Sequence, residues 1–328
     1  MTLEITNPVP EAPGGKTPAL PIVLVLALVL AVGGCASEGG SFTVEALSDG
    51  VHLLRPAEGD AERTNSLVVE QAEGLVVVGA QPTPAAAREL LRAVERLGSL
   101  PVRYLVIPHS HADAAGGASA FPETTLVVGT GPAHEALSDP EYDFGAEARA
   151  RSKDPDGWVE PPRRMPGMLI HGRVDLDDEE RPVRLLPAPR THSRGDMMVY
   201  LPATDTMYVG SLLSRERNPY AKDAHVETWI SALNHLIKTR PAQIVSLRGP
   251  RPDRELLRER RDAFAWVRSH VSQGFIDGVA PAAIPDRVLA SAEIAEYFDL
   301  EASPSYASSV VAQALDEVIQ FRRRRGLE

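Results

Sequence analysis

The stretch Pro108-His109-Ser110-His111-Ala112-Asp113-Ala114-Ala115-Gly116-Gly117 decides how the rest of the chain is read. It follows an apolar run at 102–107 with the pattern of a buried strand, so two imidazoles and a carboxylate leave one strand end together. Alternate residues in that position can aim at a single point. Neutral imidazole nitrogens are what a zinc ion takes as ligands. The two glycines let the backbone turn closely beneath the loop. Taken alone, a pair of histidines separated by one residue also fits an ordinary surface loop.

A second loop changes the balance. Thr191-His192-Ser193-Arg194-Gly195-Asp196 lies at the mouth of another strand pattern, at 197–201, and supplies a third histidine from a strand end. Three histidines with an open fourth position make a catalytic zinc site. Together the two loops resemble the metallo-β-lactamase superfamily. The resemblance runs over residues 42–250 and includes Thr64-Asn65-Ser66 at the entry to a hairpin, a helix from Pro84, the strand Val199-Tyr200-Leu201-Pro202, and a helix before the last strand. It implies an α/β fold, a four-layered αβ/βα sandwich with the site at the sheet edges. It also implies a first zinc site on His109, His111 and His192.

The second metal site that the resemblance implies would use Asp113, a ligand at Ser211 and a histidine at the position of Arg248. That ligand is Asp in most of the family and Cys in one group of lactamases. Here the set fails. Ser211 offers a neutral hydroxyl, and Arg248 in Leu247-Arg248-Gly249-Pro250 brings a positive charge that cannot be titrated away. Ala114 and Gly79 also depart from residues common in relatives, a histidine and an acid respectively. One zinc ion is therefore expected, with Arg248 paired to Asp113 where relatives hold a second cation.

Working outward, residues 42–47 and 51–55 alternate around Asp49-Gly50, a hairpin signal, and 67–70 and 75–78 repeat it around Gly74. Helical spacing at 84–97 places Leu90, Leu91, Val94 and Leu97 on one face. Strands are expected at 125–128, 183–186, 197–201, 207–209 and 243–247, and an amphipathic helix at 226–238. The stretch 138–172 is charged and rich in proline, and reads as loop or irregular helix. Three helical segments close the chain, at 254–273, 285–297 and 305–324, giving a metallo-β-lactamase-like domain at 42–252 and a helical extension at 253–328. The tail, particularly 305–321, resembles that of exported zinc hydrolases associated with periplasmic quinoprotein systems. Arg322 to Arg325 read as a solvated helix terminus, where cations suit the dipole.

The chain has 328 residues, 43% of them hydrophobic, enough for a substantial core. Acids outnumber bases 45 to 34, and no basic patch is interleaved with aromatics, so nucleic acid is not an expected partner. Residues 19–32 form an apolar run of signal-peptide length, short for a bilayer span. It ends in Val32-Gly33-Gly34-Cys35, which resembles a bacterial lipobox. The reading is a leader at 1–34, lipid on Cys35, a small polar tether at 35–41, and a lipoprotein on the periplasmic face of the envelope. An uncleaved anchor is the alternative. Glu4 and Glu11 against a single Lys16 ahead of the apolar run point to a translation start further along. Cys35 is the only cysteine, so no intramolecular disulfide can form.

Two functions follow. One is a zinc hydrolase acting on a small carbonyl substrate (lactam, lactone, ester or thioester), with Asp113 handling the water's proton and Arg248 helping zinc to stabilise the oxyanion. The other is a catalytically retired domain with a binding or accessory role, since fold does not fix function. His52, His134, His171, His225, His235 and His270 have no ligand spacing and read as surface or hydrogen-bonded groups. Trp229 reads as core and not as a substrate platform.

Overall fold

The computed structural model describes residues 41–215, 220–301 and 304–327. The expected leader, Cys35 and nearly all of the tether lie outside the described residues. The chain runs β1 (Phe42–Ser48), β2 (Val51–Pro56), β3 (Ser66–Gln71), β4 (Gly74–Val78), α1 (Pro84–Glu95), β5 (Val102–Val106), α2 (Ala112–Ala115), β6 (Leu126–Thr130), α3 (Gly131–Ser138), α4 (Ala146–Arg151) and β7 (Met168–Ile170). It continues with β8 (Val174–Leu176), β9 (Val183–Pro187), β10 (Met197–Leu201), β11 (Thr206–Tyr208), α5 (Val226–Thr239), β12 (Gln243–Val245), α6 (Arg254–Ile276), α7 (Ile284–Leu289), α8 (Ile294–Tyr297) and α9 (Pro304–Arg324). Strands β1 to β7 form one sheet in sequence order, antiparallel through β4 and parallel beyond it. The second sheet has the order β12-β11-β10-β9-β8.

Strand alternation sorts the apolar residues into three strata. Val76 and Val78 of β4 face inward with Leu53, Leu67, Leu185, Val199 and Tyr208, filling the space between the sheets. Leu75 and Val77, one residue out of phase, face the other way and pack with Leu90 and Val94 of α1. The outer face of the second sheet, through Met198, Met207 and Ile244, packs on Trp229, Leu233 and Leu236 of α5, behind which α6 and α9 contribute Phe264, Val267 and Val310. The result is the αβ/βα sandwich with a C-terminal helical part.

The final helices belong to the third stratum. Glu317 of α9 is buried and accepts hydrogen bonds from the backbone N–H groups of Val226 and Glu227, capping the first turn of α5. Two readings from the sequence need correction. The helix expected at 285–297 is two short helices broken at 290–293, with Ile284, Val288 and Ile294 all buried in the core. The unassigned stretch 138–172 contains α4 and β7, and α4 has a direct place in the candidate site.

Candidate metal centre

Two strand ends deliver the three histidines. Beyond β5 the N–H of Ile107 donates to the carbonyl of Val128 at 2.9 Å, and the N–H of Met197, which opens β10, donates to the carbonyl of Pro108 at 2.8 Å. The loop with His109 and His111 is thus tied to both sheets, directly beside the loop with His192. Gly116 and Gly117 let it close: a Cβ on either would lie 2.1 Å from the carbonyl oxygen of Pro82 or Ala80. Asp196, fully buried, accepts from the N–H and hydroxyl of both Thr191 and Ser193 and fixes the turn that presents His192. Thr64 and Asn65 do the same for the far side. The Thr64 hydroxyl donates to the carbonyl of Asp113 at 3.2 Å, and the Asn65 amide donates to the carbonyls of Ser246 and Gly249, flanking Arg248.

The three imidazoles are buried and stand nearly perpendicular to one another, with centroids 4.8 to 5.2 Å apart. His111 Nδ1 and His192 Nε2 lie 3.0 Å apart. On its other side His111 Nε2 is 2.8 Å from Asp223 Oδ2, the carboxylate backing that orients metal-ligating histidines. Glu147 of α4 enters from the opposite wall. Its Oε2 is 3.4 Å from His111 Nδ1 and 3.2 Å from His192 Nε2. One ligand atom from each of His109, His111, Glu147 and His192 lies within 4.8 Å of all the others. Tyr220 meets the His111 ring edge-on at 5.3 Å, and Trp229 meets that of His192 at 5.7 Å while its indole N–H donates to the carbonyl of Leu212. Trp229 is core, and it is also a wall of the centre.

Asp113 and Arg248 come together beside this group. Arg248 Nη2 donates to Asp113 Oδ2 at 3.1 Å and Nη1 to the carbonyl of Ala61 at 3.0 Å, while Asp113 Oδ1 is 2.9 Å from His109 Nε2. Both oxygens of Asp113 are therefore engaged, one by the His109 imidazole and the other by the Arg248 guanidinium. Ser211 lines the same void as Glu147, Arg151, His192, Ser214, Tyr220 and Arg248, and that void measures about 10 Å³, room for roughly one water.

The electrostatics describe a place made for positive charge. Burial disfavours a charged His111, but Asp223 and Glu147 outweigh it and raise its pKa to about 10. Burial pushes the Glu147 carboxyl up, yet His111, His192 and Arg151 hold it well below the usual carboxylate range. Burial and the Glu147 charge also push Asp113 up, and His109 and Arg248 bring it down to about 2. His109, where burial dominates, is shifted down. With no metal, a proton on His111 serves as the cation among these carboxylates.

These residues fit a metal ion. Three imidazole nitrogens and a carboxylate oxygen are a zinc donor set. The Glu147 Oε2 atom is buried and makes no well-formed hydrogen bond, its neighbours being the ring nitrogens of His111 and His192 at 3.4 and 3.2 Å, so a cation among the three would complete its contacts. His109, His111, His192, Asp113 and Arg248 were legible from the sequence. Glu147, Asp223 and Tyr220 were not, since they come from separate segments. For Glu147 the one available signal was its i,i+4 spacing to Arg151 within Ala146–Arg151, a helical pairing.

Comparison with known proteins agrees with this geometry. The sequence profile of the metallo-beta-lactamase superfamily matches residues 59–246. A metallo-beta-lactamase type 2 from Bacillus sp. (strain 170) is 24% identical over 208 residues, 62% of this chain and 73% of the relative. Among solved structures, the metallo-beta-lactamase from Pontibacter korlensis superposes with a TM-score of 0.57 at 18% identity, over 68% of this chain and 99% of its own. The inverting sec-alkylsulfatase Pisa1 from Pseudomonas sp. gives 0.65 at 15% identity, over 83% of this chain and 50% of its own.

Proposed function

The chain belongs to the metallo-beta-lactamase superfamily, and from that premise we propose that it is a hydrolase with one zinc ion on His109, His111 and His192, acting on a small carbonyl substrate such as a lactam, lactone, ester or thioester. The observation that carries this reading is the convergence of three buried, mutually perpendicular imidazoles whose backing carboxylate, Asp223, orients His111. Zinc there would supply Lewis acidity and an activated water near neutral pH. The chain's own residues divide the remaining work. Asp113 is held between His109 and Arg248 and fixes the orientation of the His109 ring. Glu147 turns its Oε2 toward the ring nitrogens of His111 and His192, at 3.4 and 3.2 Å, and would accept a hydrogen bond from a water held there. Arg248 presents its unpartnered Nε toward Glu147, 3.8 Å from Oε1, and is the cation nearest a developing oxyanion.

One observation favours a second reading, a metal-holding accessory protein without turnover. The void beside the centre holds about one water, and the Arg248 guanidinium is committed to Asp113, which leaves little room for a substrate. We also propose that Cys35 carries a lipid that holds the protein at the periplasmic face of the envelope. Elemental analysis of the purified chain together with hydrolysis of a lactam, lactone, ester and thioester panel tests the hydrolase reading. One zinc per chain with hydrolysis abolished by His111→Ala is expected. Bound zinc with no turnover of any panel member selects the accessory reading, and no bound metal overturns both.

A further inference from the structure

Glu147 has two carboxylate oxygens in sharply different surroundings. Oε1 accepts from the Arg151 guanidinium, from Nε at 3.2 Å and Nη2 at 3.1 Å, with Arg248 Nε at 3.8 Å. Oε2 is buried, makes no well-formed hydrogen bond and faces the imidazoles. An arginine fork on one oxygen orients a carboxylate so that the other can act alone. Burying an ionised oxygen without a partner is unfavourable, so its position calls for a cation.

The spacing says which role that oxygen has. Zinc bonds to nitrogen and oxygen run about 2.0–2.1 Å, which places the corners of a tetrahedral shell roughly 3.3 Å apart. His111 Nδ1, His192 Nε2 and Glu147 Oε2 form a triangle with sides of 3.0, 3.2 and 3.4 Å. Those sides match one face of such a shell, and His109 supplies the remaining donor, the four atoms lying within 4.8 Å of one another. The adjoining void has room for about one water, so little else competes for the position.

We propose that Glu147, held by Arg151, is the fourth ligand of the metal in the resting protein and closes a shell of three histidines and one glutamate. The inference rests on the reading that the histidine trio binds zinc. A shell of four protein ligands is the closed, structural arrangement, whereas a catalytic site keeps one position open. Any molecule reaching the metal must first displace Glu147, which moves α4, a helix of six residues, or rotates the Glu147 side chain off the centre. The displaced carboxylate then stands beside the arriving group as a proton acceptor. The same residue thus accounts for a closed centre and for a base once it opens. Arg151 is the positioning residue.

The test uses the full chain, loaded with zinc for affinity by chelator competition and with cobalt for its visible spectrum, with azide as the probe of an open position. In the parent protein azide should leave the cobalt spectrum unmoved. In Glu147→Ala, and in the isosteric Glu147→Gln that guards against misfolding, azide should shift it, and zinc affinity should fall about 100-fold. Arg151→Ala should lower affinity about 10-fold and make the spectrum partly azide-sensitive, at the low end of effects for residues that orient a ligand. A parent spectrum that responds to azide as strongly as the variants overturns the closed shell while leaving the zinc reading intact. Zinc affinity unchanged in both Glu147 variants does the same. No metal uptake by the folded parent sinks the zinc reading and this inference together.

Discussion

Replacing Arg248 by methionine isolates the buried ion pair between Arg248 and Asp113 beside the histidines. Asp113 is 0% exposed and Arg248 6%, so the pair is sealed from water, and the guanidinium also holds the carbonyl of Ala61. Removing one partner of a buried pair costs about 3–5 kcal/mol, because the survivor keeps its charge without compensation. Asp113 retains His109 at 2.9 Å, so the lower end, about 3 kcal/mol, is expected for Arg248→Met. At this size each kcal/mol lowers the melting temperature by about 2 °C, giving about 6 °C. Calorimetry on metal-free protein, with Asp113→Asn and the double variant completing a cycle, reads the coupling. The double variant should be destabilised by less than the sum of the single changes, by at least about 1 kcal/mol. The gap between parent and Arg248→Met should also narrow as pH falls from about 4 toward 2, where Asp113 takes up its proton in the parent. A single-variant loss under about 1 kcal/mol with additive effects would refute the sealed-pair argument.

Three further outcomes are expected. Arg248→His combined with Ser211→Asp assembles three second-site ligands with Asp113, so bound zinc should rise from one toward two per chain; an unchanged count by elemental analysis counts against the view that Arg248 has replaced a cation. His111 has its folded pKa raised to about 10, so its contribution to metal-free stability is full below about 6.5 and is lost as pH rises through 10, whereas the depressed Asp113, Glu147 and Asp223 contribute above about 4 and lose it in acid. Metal-free protein should melt lower at pH 9 than at pH 6, and metal, which needs His111 without its extra proton, should remove that drop; an equal or higher melting point at pH 9 without metal contradicts the assignment. Cys35→Ser should release the protein from membranes in a fractionation experiment, and a variant that stays membrane-bound with its leader uncleaved would show an anchor instead.

Much of the fold was legible because alternation and turn chemistry are local. Asp49-Gly50 and Gly74 mark hairpins at 48–51 and 71–74, and the out-of-phase valines of β4 announce a strand buried on both faces. His109, His111 and His192 were legible because each sits at a strand end whose pattern precedes or follows it. Glu147 was not, since α4 is a six-residue helix whose moderate apolar content carries little periodicity, and its role exists only through the long-range approach of Arg248 and His192. Asp223 was hidden for the same reason: a single acid in a polar loop acquires meaning from the imidazole placed 2.8 Å away. The break between α7 and α8 escaped because the residues at 290–293, Ala, Ser, Ala and Glu, carry no Pro or Gly stop signal and composition alone favours continuing a helix there.

The cap that Glu317 places on α5 has a consequence for the order of assembly during synthesis. Helix α5 carries Trp229, which backs His192, but the residue that accepts from the N–H groups of Val226 and Glu227 belongs to α9, far along the chain. While the nascent chain lacks α9, those donors have no protein acceptor from it and the apolar faces of α5 and α6 lack Val310, Val311 and Ala314. The histidine loops can be translated and their strands paired long before this happens, so the wall behind His192 is the part of the centre that sets late. A chain truncated before 304 should keep both sheets' hydrophobic patterns and yet hold His192 loosely, because Trp229 behind its ring would sit on a helix without its cap and its outer packing.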